Sequence, residues 1–204
     1  MGAIFRREVR SYFTSPIGYI FLAAFYAYSG VMFANYSLES GYTRLDSVFS
    51  ALLIIIIVLI PVLTMRTISE EKRTKTDQCL LTAPVGLGSI VVGKFLAAFL
   101  IYIIAIAITS VFAVVVSAFG TPDWNVVVGN IVALALVGGA YIAIGIFCSS
   151  FTENQIVAAV ISFIALIFVS FLSTIGNLLP FEWLTTVCEK VSFGERYYSF
   201  TYGP

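Results

Sequence analysis

Charged residues are scarce in this chain, and those that could do chemistry stand close together. Residues 66–89 hold Arg66, Glu70, Glu71, Lys72, Arg73, Lys75 and Asp77, then Leu80, Leu81 and Pro84. Charges of both signs packed into one segment suit a partner interface with complementary patches. A solvated charged loop is the plainer reading of the same residues. Catalysis finds little to work with. There is no histidine, so the commonest general base and metal ligand is missing. Cys79, Cys148 and Cys188 lack metal-ligand spacing and read as small apolar residues. Gly88, Gly93, Lys94 and Phe95 match most of the phosphate-cradling Gly-x-x-x-x-Gly-Lys-[Ser/Thr] pattern. However, Phe95 replaces the hydroxyl that would hold magnesium, and no strand precedes the stretch. Lys94 then reads as a lysine snorkelling from the start of a span. The chain is therefore expected not to be an enzyme, and to bind no cofactor, metal or nucleic acid.

The elements that must position this segment follow from composition. Of 204 residues, 60% are hydrophobic and 11% charged, against about half and a quarter in a soluble domain. The charges leave five free runs, Ser11–Leu38, Ser47–Met65, Phe95–Pro122, Trp124–Thr152 and Asn154–Phe181, each of at least 19 residues. About 20 apolar residues at 1.5 Å rise cross the hydrocarbon core. Backbone groups in lipid must bond within their own segment, and runs such as Leu52–Ile60 lack the alternation of a barrel strand. The fold class is accordingly all-α, a polytopic helical membrane protein of one domain. Five spans are predicted, at about 17–35, 48–65, 90–119, 126–148 and 156–175. Pro61 falls in the last turn of the second.

Around the spans, residues 1–14 carry Arg6, Arg7 and Arg10 among apolar residues and read as an amphipathic helix at the membrane surface. No cleavable signal is visible. Residues 176–204 read as an extracytoplasmic interfacial segment, with Trp183, Val187 and Val191 on one helical stripe. A cytoplasmic N-terminus places eight basic residues inside (Arg6, Arg7, Arg10, Arg66, Lys72, Arg73, Lys75, Lys94) against Arg44, Lys190 and Arg196 outside. Cys188 then lies opposite Cys79 and Cys148, and no disulfide is expected. Mid-span, no Asp, Glu, Lys or Arg marks an ion pathway. Asn130 reads as a helix–helix hydrogen-bonding residue. Gly139 and Ala143 form a small-xxx-small pair suited to close helix approach, with packing inside the chain as the commoner use.

Two stretches carry a resemblance to a known family. The first is Phe5–Tyr19 (FRREVRSYFTSPIGY), a basic surface helix ending in a Ser-Pro step. The second is Ile68–Val85 (ISEEKRTKTDQCLLTAPV), continuing to Val92-Gly93-Lys94-Phe95. Together they resemble the type-2 permeases of ATP-binding-cassette (ABC) transporters, in particular those described as gliding-motility or copper-enzyme-maturation permeases. The second stretch is similar to that family's E-E-K-R-x-x-T-x-x-x-L-L-x-x-P followed by G-K-F, between spans two and three. The resemblance implies a permease that pairs with a second permease chain and with two ATPase subunits, which hold the ATP and magnesium. It implies that residues 66–89 form a coupling helix docking on the ATPase. Glu70, Glu71, Lys72 and Arg73 would be coupling residues, Leu80, Leu81 and Pro84 would shape the helix end, and Arg6, Arg7 and Arg10 would anchor the surface helix. The family norm is six spans against five here, so a fragment or a span supplied from elsewhere is expected. Gln78-Cys79 stands where the family often has Glu-Leu. The expected function is an exporter in the cell membrane; the absence of a signal and the resemblance both fit a bacterial inner membrane. The competing reading is an anchor or scaffold subunit without a pore, which fits the lack of mid-span charges. An intramembrane enzyme would place polar catalytic pairs within its spans, and none is seen.

Overall fold

The computed structural model describes residues 2–39, 46–76, 86–118 and 124–171, and these are helical with no strand among them. In chain order the elements are α1 (Gly2–Thr14), α2 (Pro16–Phe33, continuing as a π-helical turn over Ala34–Glu39), α3 (Asp46–Thr64), α4 (Ser69–Arg73), α5 (Leu87–Ala107), α6 (Thr109–Ser117), α7 (Trp124–Ser149) and α8 (Gln155–Ser170). Among the described residues, four helical stretches are long and apolar enough to cross a membrane: Pro16–Ser37, Ser47–Arg73, Leu87–Ser117 and Trp124–Ser149. The fifth expected span appears as the shorter apolar helix α8. The chain is a polytopic helical membrane protein. The segment 176–204, with Cys188 and the Trp183–Val187–Val191 stripe, lies outside the described residues, as does Cys79. Cys148 is buried and free.

Local chemistry sets the helix boundaries. Ser15 is extended and Pro16 occupies the first turn of α2, where its fixed φ and missing N–H cost nothing. Further along, the Asn154 side chain accepts from the Ile156 amide and caps α8. Pro61 sits inside α3, which ends three residues later; the hydroxyls of Thr64 and Thr67 donate to the carbonyls of Ile60 and Thr64 at that end.

The third span departs from the expected continuous helix over 90–119. It starts a turn earlier and breaks at Ile108. Thr109 Oγ1 donates to the Ile106 carbonyl at 2.7 Å, and Ser110 donates to that of Ala107. These hydroxyls add donors to carbonyls beside the break, where the Ile108 amide also turns back to Ile106, and so help satisfy backbone groups in a lipid setting.

α3 is the central helix. It packs on α2, α7 and α8, while α5 joins α1, α2 and α7. Leu52, Ile56, Ile60 and Leu63 of α3 are fully buried, with Phe21 and Phe25 of α2 and Ile101 and Tyr102 of α5. Tyrosines cross-link the helices. Tyr26 donates to the Ile104 carbonyl, Tyr28 to that of Ala51, and Tyr102 to that of Leu134, at 2.7–3.2 Å. Each uses a second lone pair on a carbonyl already committed to its helix. Asn130 is buried and donates to the Val126 carbonyl one turn back.

Candidate functional site

The charged segment begins where α3 ends. A turn over Met65–Ile68 leads into α4, and the sequence SEEKR gives it two acids in its first turn and two bases in its last, matching the helix dipole. Five residues do not hold a helix on their own; what holds α4 is side-chain attachment on several sides.

The strongest attachment is a four-membered charge network. The Glu71 carboxylate accepts from Arg7 of α1 at 2.7 Å and forms an ion pair with Lys94 of α5 at 2.9 Å. Glu8 of α1 accepts from Arg7 at 2.8 Å and lies 3.4 Å from the Lys94 ammonium. Lys94 also donates to the Thr67 carbonyl at 2.5 Å. The ammonium therefore faces three oxygens on three elements, hydrogen-bonded to Glu8 and Thr67 and ion-paired with Glu71. The exposures define the setting. Lys94 is 2% exposed, Glu8 13% and Glu71 17%, while Arg7 keeps 51% of its side chain in solvent. A buried ammonium is tolerated only when paired and hydrogen-bonded. The network meets that condition, with two positive and two negative groups. The Glu8 hydrogen bond, reinforced by both carboxylates, raises the Arg7 guanidinium above its already high ordinary value, against the lowering by partial burial.

Further contacts fasten α4 elsewhere. Arg66 pairs with Glu70 at 2.5 Å across one turn. Lys72 donates to the Ser150 carbonyl just past the end of α7, a favourable place for a cation. The Ser149 hydroxyl accepts from the Ile68 amide at 3.1 Å and bonds the Thr67 hydroxyl at 3.2 Å. On the inner side of α1, a Cβ added at Gly93 would lie 3.2 Å from Ile4, so the glycine lets α1 approach α5 beside Lys94. Tyr12 of α1 is buried and donates to the Leu63 carbonyl at 3.0 Å; burial pushes its hydroxyl well above the ordinary tyrosine range, so it stays a neutral donor. A cleft of about 30 Å³ remains between α1 and the end of α3, lined by Glu8, Ser11, Tyr12, Ser15, Arg66, Thr67 and Glu70. It is water-sized.

The structure thus separates the residues singled out in the sequence. Glu71 and Arg7 sit in the network, Glu70 pairs locally, Lys72 points to α7, and Arg73 is exposed at the tip. Arg6 and Arg10 are exposed on α1. Leu80, Leu81 and Pro84 lie outside the described residues. Gly139 is buried against Phe99, and Ala143 is exposed. Two residues at the centre, Glu8 and Lys94, carry roles the sequence reading missed. Lys94 does not snorkel: its ammonium turns inward because two carboxylates and the Thr67 carbonyl wait there. The clue was Glu8, the one acid among the arginines of the surface helix. From Leu87 onward the Gly88–Phe95 stretch is helix rather than a loop.

α4 ends in an unusual residue. The Thr76 amide bonds the Glu71 carbonyl at 3.0 Å and the Lys75 amide that of Lys72 at 3.1 Å, the pairing of a Schellman cap. Lys75 occupies the left-handed position at φ 55°, where glycine is usual. A β-branched side chain is strained there by about 1–3 kcal/mol. Lys75→Val is accordingly expected to speed hydrogen exchange at the Thr76 amide about tenfold or more, whereas Lys75→Gly keeps the cap protected. Equal exchange in both variants would mean the cap does not form.

A family model described as ABC-2 family transporter protein matches residues 3–188. No curated protein and no solved structure matches the chain. The matched range spans α1 through the last described helix and takes in every residue of the charge network. With most of its length so matched, the chain belongs to the ABC-2 transporter family, as a multi-pass permease subunit of the kind that works with ABC ATPases.

Proposed function

We propose that this chain is the permease of an ATP-driven exporter, acting in a pair with a second permease chain and two ATPase subunits that bind and hydrolyse ATP. The turn around α4 receives the motion of the ATPase on the cytoplasmic side. The observation that carries this reading is the attachment of α4. One short charged helix is tied to α1 and α5 through Glu71 and to the end of α7 through Lys72 and Ser149. A displacement of α4 therefore acts on three elements at once, while Arg73 stays exposed for a partner. Such a device transmits only if the partner's contact differs between its two states. The spans then alternate access to a path between the two permeases.

The role of each charge follows from its position. Glu71 and Lys72 transmit within the chain. Arg73, exposed at the end of α4, and the partly exposed Glu70 beside Arg66 meet the ATPase. Reversing both (Glu70→Lys with Arg73→Glu) is expected to reduce co-purification of the ATPase from mild-detergent extracts about tenfold or more, with membrane insertion intact. Wild-type levels of ATPase on the reversed chain would overturn the docking assignment. An ATPase complex that hydrolyses ATP but moves nothing would favour a scaffold role instead.

A further inference from the structure

The amphipathic surface helix is occupied differently on its two sides. Its apolar side does not face lipid: Phe5 and Val9 pack on the core and Tyr12 is buried within it. Its opposite side carries Arg6, Arg10 and Phe13, at i, i+4 and i+7, all exposed. Neither Arg6 nor Arg10 has a carboxylate within ion-pair distance among the described residues, whereas Arg7 between them is committed to Glu8 and Glu71. Phe13 is 39% exposed and packs edge-on against Tyr19, itself 57% exposed on α2, with ring centroids 6.3 Å apart. α2 is the first membrane-crossing helix and starts two residues after α1 ends. Chain continuity therefore sets the C-terminal end of α1 at the membrane boundary.

We infer that Arg6 and Arg10 form a binding site for the phosphate of an anionic membrane lipid, with the Phe13–Tyr19 pair lying against the glycerol and upper acyl region below it. The charges fit this occupant. Guanidinium groups bind phosphate through paired donors. Aromatic rings settle at the headgroup level. Free basic side chains near an anionic leaflet attract it at short range. Among the described residues, no internal ion pair accounts for the two arginines. The inference is independent of the transport reading, because it needs only the membrane and α1.

The test uses the full chain reconstituted in nanodiscs of phosphatidylcholine mixed with phosphatidylglycerol, then released for native mass spectrometry. The wild-type chain is expected to retain phosphatidylglycerol over phosphatidylcholine. Arg6→Gln with Arg10→Gln is expected to lower that retention about fivefold or more. Arg6→Lys with Arg10→Lys keeps most of it, and Arg73→Gln, an exposed arginine elsewhere, leaves it unchanged. Raising the salt concentration before release is expected to weaken the wild-type preference. A preference insensitive to salt, or equal retention by the glutamine variant, would overturn the inference. So would a glutamine variant that keeps its lipid but loses the ATPase, which would give the stripe to a protein partner.

Discussion

Replacing Lys94 by methionine is expected to destabilise the protein by about 3–5 kcal/mol, the usual consequence of removing one partner from a buried charge pair. Methionine keeps the volume, so the loss is electrostatic. Glu8 and Glu71 are left facing each other across a largely dry space, with Arg7 as the one cation left in the network, and the Thr67 carbonyl loses its donor. The sign depends on what is removed. Neutralising the set together (Lys94→Met with Glu8→Gln and Glu71→Gln) takes away the buried charges as well as their pairing, and apolar or neutral replacement of whole buried pairs is often nearly neutral. The triple variant should therefore recover most of the thermal stability that the single variant loses, measured as unfolding temperature in detergent. Equal unfolding temperatures for wild type and Lys94→Met would show that the two carboxylates have another cation to turn to. The recovered triple variant separates stability from function. It would fold, but its α4 would have lost its charged tie to α1 and α5, so ATP hydrolysis should proceed with weakened transport.

The sequence exposes the architecture because burial in lipid is written in runs of uncharged residues. Charge-free stretches locate the helices, since each charge in hydrocarbon is costly enough to be excluded. The same runs hide what happens inside them. The break at Ile108 depends on Thr109 and Ser110 supplying donors to particular carbonyls, and hydroxyls of this kind are equally common in unbroken helices. The tyrosine bonds to Ile104, Ala51 and Leu134 join residues far apart in the chain, so no local pattern signals them. The candidate site was half legible. A cluster such as Glu70–Arg73 shows in any reading of charge. Lys94 lies well down the chain at the foot of an apolar span, and its partner Glu8 lies further still in the other direction. Only the folded arrangement of α1, α4 and α5 reveals that these charges neutralise one another.

Gly138→Ala is expected to be among the most damaging single-methyl additions in the chain. A Cβ at this position would stand 2.1 Å from the Tyr102 ring and 2.3 Å from its hydroxyl. The ring cannot move aside easily, for Tyr102 is fully buried and its hydroxyl is committed to the Leu134 carbonyl at 2.7 Å. Alanine brings about 1 kcal/mol in helix propensity. Against that stand overpacking at about 1–3 kcal/mol and a displaced buried hydroxyl at about 1–3 kcal/mol. The clash wins, and α5 and α7 are forced apart where they cross. Shortening the ring should relieve it: Gly138→Ala with Tyr102→Leu is expected to unfold at a higher temperature than Gly138→Ala alone, a coupling that only direct contact produces. The neighbouring small residues make the control. A methyl at Gly139 would meet Phe99 at 3.2 Å, so Gly139→Ala asks for a shift of a few tenths of an ångström, and Ala143 is exposed. Ala143→Leu should leave the unfolding temperature of the isolated chain unchanged. Were Ala143→Leu as harmful as Gly138→Ala, the Gly139–Ala143 face would have to be covered by another helix.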